Sequence, residues 1–367
     1  MRIGIDTFGC DHGRSGQGTY ILNFISNLPQ DLNYQIELFG EEQDRYIYTS
    51  GKEVSYASYP ISDKLKHLRL FHKYKINKFI KKNKYDYVIY PAAGKVLPSK
   101  FKFHKGVAII NSIISVDLKN ESRKYKHQLL KGLKNIHIII AATQFIKDDL
   151  IDLGINGSKV FVIHNGIDHK LFFPFADFDD DYIDIKPFAI KRPYFVYGSS
   201  LSSPEKKHIE LIKAFEIFKK NTGLPHRLVL AGNDGPYADT IHKVAFDSPY
   251  ASDIFLIGFF QHENFARLYA GSEACLFPSV TEGVGLPILE AMACGIPVLC
   301  SDKGALKEEG GTSPLYFDSD NIDQIATCMQ KIVEDKELRE NIITDSIVWA
   351  NEFNWEKTVK ETLFLLK

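Results

Sequence analysis

Apolar and polar positions along this chain alternate between two periods. Short apolar runs of the length of buried strands are separated by stretches in which the apolar residues recur at helical spacing. Arg2-Ile3-Gly4-Ile5-Asp6, Tyr34–Gly40, Asp86–Pro91, Gly106–Asn111, His137–Ala142 and Val160–Ile163 read as strands. Tyr20–Leu28, Leu68–Lys82, Lys124–Leu133 and Gln144–Leu153 read as helices between them, the last stopped by Gly154. The rhythm restarts with a strand at Tyr194–Gly198 and a helix at Ile209–Lys220. Strands at Arg227–Gly232, Ile254–Gly258 and Ala274–Phe277 follow, with a helix over Glu263–Ala270 and amphipathic helices over Asn321–Glu334 and Leu338–Phe353. Strands alternating with helices predict an α/β chain with parallel, doubly wound sheets. Because a strand, a polar loop and a helix open both halves, about 190 residues apart, two Rossmann-like domains are expected. The acidic stretch Asp177–Tyr182, with Pro187 and Pro193 after it, reads as a solvated linker.

One stretch breaks the rhythm. After the strand Ala274–Phe277 come Pro278-Ser279-Val280-Thr281-Glu282-Gly283-Val284-Gly285-Leu286-Pro287-Ile288-Leu289-Glu290, then Ala291–Gly295 and the strand opening Ile296-Pro297-Val298. Gly283 and Gly285 let a ligand approach the backbone, Pro287 suits the first position of a helix, and Gly295 suits the residue past its end. The first turn of such a helix presents unpaired N–H groups and the positive end of a dipole, a place for phosphate. Glu282 and Glu290 flank it; a carboxylate repels phosphate but accepts hydrogen bonds from sugar hydroxyls. A similar strand, glycine loop and helix opens the chain, with Gly9, Gly13, Gly16 and Gly18 read as a polar loop.

The run from Pro278 to Val298, with Glu282 and Glu290 separated by seven residues, resembles the signature of family GT4 retaining glycosyltransferases. The resemblance implies the GT-B fold: two Rossmann-like domains facing a cleft, with a C-terminal helix crossing back to the N-terminal domain. On that basis residues 1–174 and about 354–367 form an acceptor-side domain, 175–192 a linker, and 193–353 a nucleotide-sugar-binding domain. Gly16-Gln17-Gly18-Thr19-Tyr20 is similar to the family's N-terminal loop near the donor phosphates, and Asn165-Gly166-Ile167-Asp168 to the turn that ends the first domain. The resemblance assigns Lys206, with Lys207 as alternate, to the donor diphosphate, and places Phe259 and Phe260 near the base, where aromatic core is an equal alternative. It also implies that Glu282 holds the donor sugar, that the backbone of Gly283, Val284, Gly285 and Leu286 faces the diphosphate, and that Glu290 holds the ribose. Two positions depart from the family. Asn111 and Ser112 stand where many members carry a His-Asp pair, and Ser200 stands where an Arg that binds the donor diphosphate is usual; as a donor-binding residue Ser200 can give the phosphate one hydrogen bond but no charge. Asn111 can hydrogen-bond a sugar or acceptor hydroxyl but cannot titrate. His104 and His127 read as solvated surface residues.

Composition narrows the classes. The 367 residues suit two domains, with 44% hydrophobic and 25% charged residues and a formal net charge of −1, which argues against nucleic acid as the main partner. Positive charge is concentrated at Lys64–Lys84 and Lys100–Lys134, readable either as solvated helix faces or as a basic surface for peripheral contact with anionic lipid or a lipid-diphosphate acceptor. Five cysteines without CxxC spacing suit free buried thiols in a reducing compartment. The chain begins at once with a strand, so no signal peptide is expected, and no apolar run reaches the roughly 18 residues of a membrane span; a cytoplasmic site follows. No Asp-x-Asp loop suits a divalent ion, so metal-independent chemistry and no cofactor are expected.

The reading is a hexosyltransferase using a UDP- or GDP-linked sugar and a glycan or lipid-linked acceptor in cell-surface polysaccharide synthesis, with Glu282 and Lys206 at the reacting centre. Two alternatives remain open: a nucleotide-sugar-binding pseudoenzyme, which the departures at Asn111 and Ser200 suggest, and a sugar-nucleotide epimerase of the same fold.

Overall fold

β-Branched and aromatic runs fill the interiors of two parallel sheets. The computed structural model describes residues 1–31, 34–52, 54–175, 181–185 and 188–366. The first sheet contains β1 (Arg2–Asp6), β2 (Gln35–Gly40), β3 (Ser55–Ser58), β4 (Tyr87–Tyr90), β5 (Lys105–Ile110), β6 (Ile138–Ala141) and β7 (Val160–Val162), in the order β3-β2-β1-β4-β5-β6-β7. Every pairing in it is parallel. The antiparallel hairpin β8 (Tyr182–Ile185) and β9 (Phe188–Lys191) precedes the second sheet. That sheet contains β10 (Tyr194–Gly198), β11 (Arg227–Ala231), β12 (Ile254–Gly258), β13 (Ala274–Phe277), β14 (Val298–Ser301) and β15 (Leu315–Phe317), in the order β12-β11-β10-β13-β14-β15.

Both orders reverse direction once. In the first sheet β2 lies on one side of β1 and β4 on the other; in the second, β11 and β13 flank β10. Ligands of open α/β sheets bind beyond the carboxyl ends of the strands at such a reversal, because the two connections leave on opposite faces and open a crevice. The loops after β1 and β4, and those after β10 and β13, are therefore the places to look.

The chain forms two compact units, Met1–Gly166 with Trp355–Lys367, and Ile167–Asn354. The C-terminal helix Trp355–Phe364 belongs to the first. Trp355 sets its ring edge-on to Tyr20, 5.3 Å between centroids, and Thr358 donates to the His164 carbonyl at 2.7 Å. These units divide at 166/167 and 354/355, whereas boundaries near 174/193 and 353/354 are expected from the sequence.

Several expectations need correction. The expected linker carries the β8–β9 hairpin over its described part, and Ile183, Ile185 and Ile190 are buried in the second unit's core. Alternating burial along β8 converts what reads as an acidic, proline-marked stretch into a half-buried strand; Asp177–Asp180 and Pro187 lie outside the described residues. The first helix begins at Gly16 rather than Tyr20, because Ser15 caps it, its hydroxyl accepting from Gly18 N at 3.3 Å. Gly16 and Gly18 thus lie in a helical first turn and not in a loop. The single helix expected over Leu68–Lys82 is two, Leu65–Tyr74 and Ile76–Asn83, parted at Lys75 with no Gly or Pro to mark the break. His104 is buried, with Tyr90 Oη 2.8 Å from its Nε2, and burial lowers its pKa to about 4. The aromatic ambiguity at 259–260 divides in two: Phe260 is packed against Phe188 and Phe265, while Phe259 is exposed. All five cysteines are free and buried.

Candidate active site

The second unit's reversal point assembles the densest set of the expected residues. After β10 the chain runs through Ser199–Ser203 into a single turn at Pro204–Lys206 and then the helix His208–Thr222. After β13 it runs through Pro278–Gly285 into the helix Leu286–Ala293. Main-chain bonds tie these connections together: Val280 N donates to the Glu205 carbonyl at 3.0 Å, and Tyr197 Oη to the Lys206 carbonyl at 3.0 Å. Lys206 Nζ consequently sits 2.6 Å from Glu282 Oε1, both side chains about a quarter exposed. Two residues 76 positions apart are thus brought into one ion pair at the carboxyl ends of adjacent strands.

The glycine segment is held from the opposite side as well. Ala305 N donates to the Glu282 carbonyl at 3.1 Å. Gly304, at φ +62°, lets the backbone pass so close that an added Cβ would lie 3.0 Å from that carbonyl. Gly285 precedes the Leu286–Ala293 helix and offers no side-chain cap to its first amides. A Cβ at Gly285 would press on Glu309, Ile288 and Leu306 at 3.2–3.3 Å. Pro287 occupies the second helical position rather than the first, and Gly295 takes φ +74° past the end. The helix buries Ile288, Leu289, Ala291 and Met292, which orients its amino end at the strand termini.

Glu290, one turn into this helix, is 7% exposed and receives His262 Nε2 at 2.9 Å on Oε1. His262 is half-exposed, and its pKa is raised by that hydrogen bond against the opposing effect of burial. Nothing in the local sequence marks His262; its position just past β12, at the carboxyl edge of the sheet, is the signal that could have found it. Asp320 was missed too. It takes Lys207 Nζ at 2.6 Å, and Glu210 takes the same ammonium at 3.1 Å. Lys207 adopts φ +58°, and its partners differ from that of Lys206. Ser200 Oγ donates to Ser202 Oγ at 3.1 Å. His208, buried beside Lys206, has its pKa lowered to about 4 by burial.

Gly16, Gly18 and Asn111 belong to the first unit. A Cβ on Gly18 would lie 2.5 Å from Gly13 Cα, so the helix start can approach the β1 loop only with glycine there; Gly16 has open space. Asn111 follows directly on β5, and its Oδ1 is buried with no partner among the described residues. Next to it, Ser112 lines a cavity of about 330 Å³ with Gln17, Arg69, Lys95, Asp117 and Tyr125, among others. Its cations are already engaged. Arg69 makes a two-pronged bond to Glu121 at 3.0 and 2.5 Å and lies on the Tyr125 ring, and Lys95 pairs with Asp11 at 2.9 Å. Asp117 has its pKa raised by burial, opposed by the Ser112 hydroxyl.

These features have counterparts among known proteins. The family described as glycosyl transferases group 1 matches residues 179–349, and Glycosyltransferase Family 4 matches residues 14–171. The O-antigen chain mannosyltransferase B of Escherichia coli is 31% identical over 170 residues, 46% of this chain and 44% of that protein. The sulfoquinovosyl transferase SQD2 of Arabidopsis thaliana is 24% identical over 57% of this chain and 40% of its own. The matched stretches span less than half the length of these curated relatives. Among solved structures, the sucrose-phosphate synthase of Thermosynechococcus elongatus superposes with a TM-score of 0.77 at 19% identity, covering 100% of this chain and 98% of that one. Anabaena HepE in complex with UDP-glucose superposes at 0.73 with 18% identity over 99% of both chains. Two family matches placed end to end, over two parallel sheets of the GT-B type, make this chain a member of the GT4 glycosyltransferase family.

Proposed function

We propose that the chain is a retaining hexosyltransferase that moves a sugar from a UDP- or GDP-linked donor to a glycan or lipid-linked acceptor in cell-surface polysaccharide synthesis. The observation that carries this reading is the Lys206–Glu282 pair at the second sheet's reversal point, beside a helix start that no side chain caps. The O-antigen mannosyltransferase and the UDP-glucose-bound HepE support the polysaccharide context and the donor class respectively.

In this reading the pair is a resting state. The donor diphosphate takes over Lys206, and Glu282 turns its carboxylate to the hydroxyls of the donor sugar. Holding Lys206 in place beforehand reduces the side-chain ordering that binding would otherwise require. Glu290, oriented by His262, accepts from the ribose hydroxyls. The bond between the anomeric carbon and the diphosphate oxygen breaks with its electron pair going to that oxygen. Lys206, the amides of Gly283–Leu286 and the helix dipole stabilise the charge that builds there. The acceptor hydroxyl bonds to the same face of the anomeric carbon and passes its proton to a leaving phosphate oxygen. No metal is assigned to the reaction. Acceptor recognition is assigned to the first unit, where the cavity beside Asn111 offers hydroxyl partners in Ser112 and Asp117.

The decisive experiment is transfer or donor hydrolysis by Lys206→Ala and Glu282→Ala, with a thermal-shift screen of nucleotide sugars. A donor at about 100 times its Kd adds roughly 2.7 kcal/mol of stability. Wild-type turnover in both variants would overturn the site assignment; product of inverted anomeric configuration by NMR would overturn retention. The absence of a cation at Ser200 favours a second reading, a nucleotide-sugar-binding protein without turnover. It predicts a stability increase with donor and no product across the panel. Conversion of donor alone to its epimer would instead mark an epimerase.

A further inference from the structure

The C-terminal helix Trp355–Phe364 has two unlike faces. Trp355, Thr358, Val359, Thr362 and Leu363 are buried in the first unit. Lys357, Lys360, Glu361 and Phe364 follow one another three and four residues apart along the opposite face, and all four are exposed. With Phe161 and Val162 of β7 and with Leu365, they line a cavity of about 410 Å³. β7 ends its sheet and pairs only with β6, so among the described residues no strand covers its outer edge. Phe161 and Phe364, on the two sides of the cavity, are 38% and 67% exposed. An uncovered sheet edge beside exposed aromatic rings is a surface that proteins tend to cover.

The order of residues on this face makes it complementary to itself. Let two copies of the helix lie antiparallel about a two-fold axis that passes between positions 360 and 361. Lys360 of each copy then faces Glu361 of the partner subunit, and Lys357 faces Phe364 of the partner subunit. The middle of the contact carries two ion pairs of opposite sign. At each end a lysine stem lies along an aromatic ring with its ammonium over the π face. Within one chain Lys360 and Glu361 cannot serve each other, because adjacent helical residues do not face one another. Among the described residues neither makes an ion pair. The same axis carries each Phe364 towards the apolar cavity beside β7 of the other copy.

We propose that this face of the first unit, with Phe161 and Phe364 beside Lys357, Lys360 and Glu361, joins two copies of the chain in a two-fold symmetric dimer. Charge complementarity selects the occupant. A second copy supplies a carboxylate for Lys360 and an ammonium for Glu361 at once, and a large apolar ring for the cavity. An amphipathic anion such as a fatty acid would satisfy the lysines but would meet the Glu361 carboxylate. A contact of this kind uses the same patch on both copies, so it closes at two and leaves no open end. One short helix and one cavity per chain make a small interface, so the dimer is a reversible one. The proposal does not depend on the reaction assigned above, and its residues lie apart from Lys206, Glu282 and Glu290 in sequence and in unit.

The test is sedimentation velocity of the full chain between about 1 and 200 µM, over which the mass should pass from one chain to two. Lys360→Glu and Glu361→Lys each set like charges opposite one another at both pairs, and each is expected to weaken association at least about tenfold. Phe364→Ser should weaken it to a similar degree, about tenfold or more, through lost apolar burial. Mixed in equal amounts, the Lys360→Glu and Glu361→Lys chains should dimerise with each other as the wild type does, because every pair is again of opposite sign. Mixing cannot cure a folding defect. Lys213→Glu, exposed on the second unit, is the control for total charge and should dimerise normally. All variants are checked for an unchanged thermal transition. A one-chain mass over the whole range, a dimer that Lys360→Glu and Phe364→Ser leave intact, or a mixture that stays monomeric overturns the proposal. A one-chain mass together with saturable binding of the fluorescent fatty acid cis-parinaric acid, lost in Phe364→Ser, overturns it in favour of an amphipathic ligand.

Discussion

The two sheet reversals are built from the same parts and held in opposite ways. In the first unit the loop after β1 is anchored from inside: Asp6 Oδ2 meets His72 Nε2 at 2.7 Å with both side chains buried, and Asp6 Oδ1 accepts from Phe8 N at 2.9 Å. His72 Nδ1 is 2.7 Å from the Leu68 carbonyl, so the ring has an acceptor at each nitrogen and no exchangeable face. In the second unit the corresponding place carries Lys206 and Glu282, paired at 2.6 Å yet open to solvent. A buried pair cannot give up one partner cheaply, whereas an accessible pair can trade its partner for a ligand at small cost. The first reversal is thereby a fixed wall and the second an exchangeable site.

This contrast can be broken in measurable ways. The largest effect is expected at the wall: Asp6→Ala leaves His72 buried without its partner and should lower unfolding free energy by about 3–5 kcal/mol in urea titration. A change under about 1 kcal/mol would mean the pair is dispensable. Next come Lys206→Ala and Glu282→Ala, each expected to reduce transfer by roughly 10²–10³ while shifting stability by no more than about 1 kcal/mol. Equal loss of fold and activity would erase the distinction.

Gly18→Ala, which forces a Cβ onto the Gly13 backbone, should cost about 1–3 kcal/mol, whereas Gly16→Ala, with open space, should be neutral or slightly stabilising. Thermal unfolding of the two variants side by side measures this. The smallest effect concerns pH. His262 has a folded pKa raised by Glu290, so the pair's stabilisation is fully present below the ordinary histidine value of about 6.5 and fades as pH rises through the raised value. For a half-exposed ring this amounts to about 1 kcal/mol or less. The difference in melting temperature between wild type and His262→Gln should shrink across that window, and a constant difference would show that the bond does not titrate.

Much of this could be read before any coordinates. Tyr194–Gly198 and Ala274–Phe277 have the strand bounds that their apolar runs announce, because parallel strands buried on both faces are continuous apolar segments; Ile254–Gly258 has them too, although this edge strand leaves Phe255 exposed. Elements with mixed faces were harder. β3 (Ser55–Ser58) carries too few apolar residues to stand out, and β8 hides in an acidic stretch.

The sequence by itself determined the α/β alternation, the glycine segment between Glu282 and Glu290, and the clustering of lysines before residue 105. These are local properties, written in the period of apolar residues, in glycine spacing and in charge count. Only the tertiary structure decided that Lys206 meets Glu282, that His262 meets Glu290, and that Asp6 and His72 are sealed together. Those partners lie between 28 and 76 residues apart, and what unites them is the order in which strands stack, a long-range choice made by burial of the whole sheet and not by any stretch of it.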